Sequence, residues 1–150
     1  MHPSQIAQEI KEYPFFKIFK ADILLQLSTM VEAKSYAAGD CILIEGQNNN
    51  HISFLRSGIV EVYISGQKLT ELSEAGEVMG EMSVATEKSA STTIVAQNEV
   101  QTFSIDTDYF SHIKPSDKEK FELLFYKMLC QILSDRLIKE NLKNTSLRYL

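Results

Sequence analysis

The sequence has few of the residues that build covalent or metal-bound frameworks. Two cysteines occur among 150 residues, Cys41 and Cys130, and they do not form a CxxC motif. The histidines His2, His51 and His112 lie on separate segments, without the spacings typical of a zinc site. These absences argue against a metal centre. We therefore expect two buried, reduced thiols and no metal or cofactor.

Other signals are also missing. No apolar run approaches the roughly 20 residues that a membrane-spanning helix needs, and the N-terminus lacks the features of a signal peptide. A net charge of -5 argues against broad contact with a nucleic-acid backbone. The nucleophile elbow, the P-loop and the dinucleotide fingerprint do not occur. We expect a cytoplasmic protein that is not an enzyme and binds neither nucleic acid directly nor a membrane.

Hydrophobic periodicity divides the chain into three segments of one domain. Residues 1–33 and 115–144 have apolar positions three and four apart, which is typical of helices. Residues 34–110 alternate with a period of two and are punctuated by glycine turns, which is typical of short strands. Strands without helical crossovers favour antiparallel pairing. The sequence predicts a mainly β fold, an antiparallel jelly-roll-like β-roll of seven or eight strands with short N-terminal helices and one long C-terminal helix.

A glycine-glutamate pair in the middle of the strands is the strongest candidate for a binding site. Gly80 permits close approach of a backbone or a ligand, and the Glu81 carboxylate can accept hydrogen bonds from sugar hydroxyls. The amide groups of the following turn can converge on an anion. Together the glycine, the carboxylate and the turn amides predict a binding site for a phosphorylated sugar. The same residues also fit a plain turn glycine followed by a surface glutamate.

Five short motifs stand in an order that resembles the cyclic-nucleotide-binding domain family of catabolite activators, cyclic-nucleotide-dependent kinases and gated channels. The resemblance extends from about Phe16 to Asn144. The motifs are Tyr36-Ala37-Ala38-Gly39-Asp40, Ile44-Glu45-Gly46, Phe54-Leu55-Arg56-Ser57-Gly58-Ile59-Val60-Glu61-Val62, Gly80-Glu81-Met82-Ser83 and Leu133-Ser134-Asp135-Arg136-Leu137.

The resemblance implies a ligand site that keeps the residue for the sugar and lacks the residue for the phosphate. Glu81 matches the family glutamate that holds the ribose, whereas Ala90 stands where the family arginine pairs with the cyclic phosphate. Lys88 is a partial replacement, although an exposed loop lysine is the plain alternative. The implied ligand is a cyclic nucleotide, with cAMP slightly favoured over cGMP, bound at micromolar or weaker affinity. The expected ligand-binding residues are Leu43, Val62, Gly80, Glu81, Met82, Ser83, Lys88, Ala90, Ser91 and Thr92.

The family also implies a role for the last helix, which would close over the site and pair with a second copy. We expect a homodimer through the segment from Phe121 to Leu142, because its apolar stripe is longer than the roll needs. The alternative function is a degenerate dimerisation or docking domain that binds no nucleotide. After this helix the sequence leaves too few residues for a DNA-reading helix-turn-helix, so an output domain is expected only if the protein continues.

Overall fold

The computed structural model describes residues 1–143, which form two four-stranded sheets and four α-helices. The helices are α1 (Pro3–Ile10), α2 (Ala21–Ser28), α3 (Glu81–Thr86) and α4 (Pro115–Lys143). The strands are β1 (Val31–Tyr36), β2 (Cys41–Leu43), β3 (His51–Ser57), β4 (Val60–Ile64), β5 (Gln67–Leu72), β6 (Val78–Met79), β7 (Thr93–Ala96) and β8 (Val100–Asp106). Short 3-10 helices span Pro14–Phe16 and Thr107–His112.

The two sheets form the predicted antiparallel roll. One has the order β1-β8-β3-β6 and the other β2-β7-β4-β5, and the strands pair antiparallel throughout. The fold class is therefore confirmed. Strand β1 begins at Val31, whereas the sequence placed the boundary at residue 34, and helix α4 begins at Pro115. The predicted helix end at residue 144 lies outside the described residues.

Strand β3 shows how the period of two divides the core into two layers. Ile52 and Phe54 lie opposite Ile105 and Phe103 of β8, and all four side chains are fully buried under the helices. The next residue, Leu55, points into the roll instead, because successive side chains alternate between the two faces of a strand. The helical side of the first layer includes Ile6, Ile10, Phe16, Leu24, Leu27, Phe121, Phe125, Met128, Leu129 and Ile132.

The second layer lies between the two sheets. It is smaller, and its buried members are Leu55, Val60, Val62, Met79, Ile94, Ala96 and Val100. Gly58 closes the turn between β3 and β4 with a φ of +95°, and a Cβ there would lie 2.3 Å from the Glu99 carbonyl oxygen. Only glycine fits such a position without a shift of the backbone. This turn connects the two sheets at one end.

Helix α4 buries one stripe of apolar side chains and leaves other apolar side chains exposed. Phe121, Phe125 and Ile132 are almost fully buried. Leu137 and Leu142 are exposed, at 57% and 75%. Within residues 1–143, no helix is long and apolar enough to cross a membrane.

The two cysteines are free, but the expectation that they are buried was wrong. Cys41 begins the edge strand β2 and is exposed. Cys130 follows the buried Leu129 on α4 and is exposed as well. In each case the side chain falls on the solvent face of its element, where a small apolar group costs little.

Candidate ligand-binding site

The candidate site begins at Gly80, directly after β6. The φ of this residue is +84°, and a Cβ would lie 2.7 Å from the His51 carbonyl oxygen and 2.8 Å from the Asn49 amide nitrogen. Both the backbone angle and the close approach require glycine. Gly80 therefore turns the chain sharply from β6 into α3, so that the next residue, Glu81, is directed inward.

Glu81 is buried to an extent that is unusual for a carboxylate, with 2% of its surface exposed. Its Oε1 lies 2.7 Å from the Nε of Arg136 on α4, and the same guanidinium donates a hydrogen bond to the carbonyl of Val78. Burial raises the pKa of Glu81 above its ordinary value, and the Arg136 charge opposes that rise. The alternative of a surface glutamate is therefore wrong, and the carboxylate is held by the last helix.

Sequence reasoning missed Arg136 as a site residue, although a signal was present. The buried stripe of α4 runs through Phe125, Leu129 and Ile132, and Arg136 occupies the next position of that stripe, four residues on. A charged residue at an inward position indicates a buried partner of opposite charge. That the partner is Glu81 follows only from the tertiary structure.

Ser83 supports the turn. Its hydroxyl accepts a hydrogen bond from the side-chain nitrogen of Asn49 at 2.8 Å and donates one to the Gly80 carbonyl at 3.1 Å. The same Asn49 nitrogen also donates to the His51 carbonyl at 2.8 Å. These bonds connect the loop before β3 to the first turn of α3. Met82 lies beside them with its side chain 45% exposed.

The loop that precedes β7 places Ala90 against the turn after β2. The Ala90 amide donates to the Gln47 carbonyl at 2.9 Å, its carbonyl accepts from the Gly46 amide at 2.8 Å, and 4% of the residue is exposed. Residue 90 thus contributes only a methyl group, packed against backbone. Lys88 and Ser91 are exposed.

The candidate residues do not line one common cavity. Leu43 and Gly80 contribute to a cavity of about 90 Å³ inside the roll. Ser83 and Lys88 contribute instead to an open groove of about 730 Å³ between α3, α4 and the loop before β3. Val62 packs in the apolar layer between the sheets, and Thr92 is half-buried. In residues 1–143 we find no group of His, Cys, Asp or Glu side chains arranged to hold a metal ion.

Sequence comparison finds a family match over the centre of the chain. The family model described as the cyclic nucleotide-binding domain matches residues 33–116. Glutaminase 1 of Bradyrhizobium diazoefficiens is 31% identical over 136 residues. That alignment covers 90% of this chain but 22% of the glutaminase, so the chain spans a small part of that protein's length.

Structural comparison finds similar folds at low sequence identity. A cyclic nucleotide-binding domain from Methylobacillus flagellatus superposes with a TM-score of 0.79 at 19% identity, covering 99% of this chain and 86% of that one. The regulatory subunit of a cAMP-independent protein kinase A from Trypanosoma brucei gives 0.74 at 16% identity, covering 97% and 50%. A variant of that subunit whose three substitutions include threonine to arginine is bound to cAMP in its A site, and gives 0.69 at 18% identity, covering 93% and 47%.

Proposed function

The chain belongs to the cyclic nucleotide-binding domain family, and from this premise we propose that it is a regulatory module that senses a cyclic nucleotide through weak binding, with cAMP slightly favoured over cGMP. The observation that carries the proposal is Glu81, a buried carboxylate presented by a glycine-only turn within the matched segment. A carboxylate at such a position is suited to accept hydrogen bonds from vicinal sugar hydroxyls.

Affinity is weak in this proposal because Ala90 offers no charge to a phosphate. An arginine makes charge-assisted, often bidentate hydrogen bonds to phosphate, and losing them costs about 1.5 to 3 kcal/mol, or one to two decades of affinity. The Trypanosoma brucei variant that is bound to cAMP gains an arginine, together with two replacements by alanine, which agrees with this reasoning. Ser91 and Thr92 supply the remaining donors in the proposed site, and Lys88, which lines the neighbouring groove, swings its charge toward the phosphate.

The proposed ligand lies between α3 and the inner face of the second sheet. Leu43 and Val62 form its apolar wall, and the backbone from Gly80 to Ser83 follows its sugar and phosphate. Arg136 must leave the Glu81 carboxylate before the sugar hydroxyls reach it, because the guanidinium already lies 2.7 Å from Oε1. Binding therefore competes with the attachment of α4.

Calorimetry with cAMP and cGMP tests this proposal. We expect micromolar or weaker binding by the natural protein, about a tenfold or greater loss in Glu81→Ala and a gain in Ala90→Arg. Glu99→Ala, which removes an exposed carboxylate, serves as the control and should bind as the natural protein does. Tight binding that is unaffected by Glu81→Ala would place the ligand elsewhere.

A docking module that binds no nucleotide is the second candidate function. The observation in its favour is that Glu81 already has a charged partner and Ala90 is packed against backbone, so the site is satisfied without a ligand. Absence of binding in a folded Ala90→Arg variant would favour this function. In that case the new arginine has no nucleotide-binding site to complete.

Dimerisation through α4 is part of the proposal in either case. The exposed apolar side chains of the predicted segment are Leu123, Tyr126, Leu137, Ile138 and Leu142. Exposed apolar surface on a helix is a site for association. Sedimentation should show a dimer that Leu137→Asp dissociates, whereas Leu69→Asp, at an exposed position on β5, should leave it intact. A monomer at high micromolar concentration would remove this part of the proposal.

We also propose that the protein acts in the cytoplasm without direct contact with nucleic acid, as its net charge of -5 favours. The glutaminase match adds no reaction to this chain, because the alignment covers only 22% of that enzyme. The family itself is regulatory.

A further inference from the structure

In the described part of the chain the two sheets have four edge strands, and three of them carry features that hinder pairing with another chain. The edges are β1 and β6 of the first sheet and β2 and β5 of the second. Strand β6 has two residues and β2 has three, and the ladder that joins β5 to β4 shifts register between Val62 and Tyr63. Short edges and bulged edges resist the addition of a further strand. Strand β1 has neither feature.

Strand β1 is long and regular, and one of its sides is open. Its six residues pair with β8 in one continuous register. In the described residues 1–143, no backbone group of residues 31–36 is hydrogen-bonded outside this ladder. Glu32, Ala33 and Ser35 are exposed, and Lys34 is half-buried. The amides and carbonyls that point away from β8 are therefore able to pair with another strand.

The charges of β1 are complementary to a second copy of the same strand. Glu32 and Lys34 are two residues apart, so their side chains lie on the same face of the sheet. Within residues 1–143 neither side chain has an ion-pair partner. When two β1 strands pair antiparallel with Ala33 opposite Ala33, Glu32 of each copy lies opposite Lys34 of the other. Opposite charges across paired strands stabilise the pair, whereas like charges destabilise it.

The same argument selects one register among those that symmetry allows. Two identical antiparallel strands keep matching faces only when the symmetry axis passes beside one residue, because side chains alternate along each strand. An axis at Glu32 or at Lys34 would place two like charges opposite each other. An axis at Ala33 places two methyl groups there and forms both Glu32–Lys34 pairs.

We propose that β1 is an interaction surface for a second copy of this chain, which adds its own β1 antiparallel in the register centred on Ala33. The two first sheets, of four strands each, then form one continuous sheet across both copies. None of the residues of β1 is among the proposed ligand-binding residues or the exposed side chains of α4. The inference therefore does not rest on the proposed nucleotide binding or on dimerisation through α4.

Charge reversal tests the proposal by small-angle X-ray scattering over a concentration series, in the Leu137→Asp background so that α4 does not contribute. One short strand buries less surface than the roughly 1,200 Å² of a stable complex, so we expect a weak dimer at millimolar concentration. At micromolar concentration this contact leaves the α4 dimer unextended. Glu32→Lys and Lys34→Glu should each lower the association constant about tenfold or more, because both cross-strand pairs become like charges.

An equimolar mixture of these two variants should associate again, since each supplies the charge that the other lacks. Recovery in the mixture also shows that both variants are folded. The double variant Glu32→Lys/Lys34→Glu restores both pairs within one chain and should associate with itself. Lys20→Glu makes the same change of charge at an exposed position before α2, and it should associate as the background does.

Cross-linking tests the register directly, in a variant whose exposed Cys41 and Cys130 are replaced by serine. Under mild oxidation with copper phenanthroline, Ala33→Cys should form a disulfide between two copies. Opposite Cα atoms of antiparallel strands lie about 4.5 to 5.5 Å apart, which is within the range that a disulfide spans. Ser35→Cys is the matched control and should not cross-link, because the two copies of residue 35 would be about 13 Å apart.

Four outcomes would overturn the proposal. The first three are a monomer at millimolar concentration in the Leu137→Asp background, unchanged association of Lys34→Glu, and no recovery in the mixture. The fourth is a β1 edge that binds an extended peptide with lysine and glutamate two residues apart while the protein itself does not associate, because the occupant is then another chain. A natural protein that lacks the α4 dimer would contradict the proposed function alone, since the β1 contact is measured without it.

Discussion

Replacing Arg136 by glutamine should tighten the binding of a cyclic nucleotide. In the structure the Arg136 guanidinium holds the Glu81 carboxylate at 2.7 Å and donates a hydrogen bond to the Val78 carbonyl. A ribose that hydrogen-bonds to the Glu81 carboxylate must first break this ion pair. The free energy of the ion pair therefore reduces the free energy gained on binding. Glutamine removes the charge while keeping a polar side chain of moderate length.

The magnitude follows from the exposure of the two partners. The Glu81 side chain is 3% exposed, whereas that of Arg136 is 45% exposed, so solvent screens the pair from one side. We therefore assign the pair about 1 kcal/mol, the upper end for surface ion pairs. That corresponds to about a fivefold gain in affinity. A larger gain would mean that the Val78 hydrogen bond is lost on binding as well.

Calorimetry with cAMP on the natural protein and Arg136→Gln measures the change, in slightly alkaline buffer so that Glu81 stays ionised. Lys139→Gln is the matched control, because Lys139 lies on the same helix, pairs with Asp135 at 3.0 Å and is 65% exposed. It removes the same charge without touching Glu81. Unchanged affinity in Arg136→Gln would refute the competition, and reduced affinity would make Arg136 a ligand-binding residue.

Three further predictions concern stability, each measured by urea unfolding. Because burial raises the pKa of Glu81, the folded protein keeps a proton that the unfolded chain has released, and stability is lost as pH rises from about 4.5 through the raised pKa. The stability of Glu81→Gln relative to the natural protein should therefore increase over this pH range, and a stability difference that does not change with pH would contradict this. Arg56→Met should cost about 2 kcal/mol, since Arg56 makes two 2.9 Å hydrogen bonds to the Glu9 carboxylate and its guanidinium lies 4.2 Å from an aromatic ring centre; a loss below about 0.5 kcal/mol would refute this. Gly66→Ala should cost about 1 kcal/mol of stability, because the residue has a positive φ but a Cβ there would meet no other atoms. Gly58→Ala should cost at least twice as much, because a Cβ there would also meet backbone atoms. Equal losses would show that the turn adapts.

The order and type of the elements were readable from the sequence. Alternation in β3 and β8 and the three-four spacing in α4 are local patterns, because they depend on how neighbouring side chains distribute around one element. Gly80 was readable for a similar reason, since a sharp turn into a short helix needs glycine. The seven or eight antiparallel strands that these signals predicted are eight in the structure, and the long last helix is present as predicted.

What the sequence did not reveal depends on distant elements meeting. Local patterns made Glu81 a candidate site residue but gave no indication that it is buried or that it pairs with Arg136 on another helix. In the same way, Glu32 and Lys34 have no special pattern in the sequence. Only the order of the strands places both on an open edge of a sheet. Charge pairing and cavity shape are set by which surfaces pack together, and that is decided by the tertiary structure.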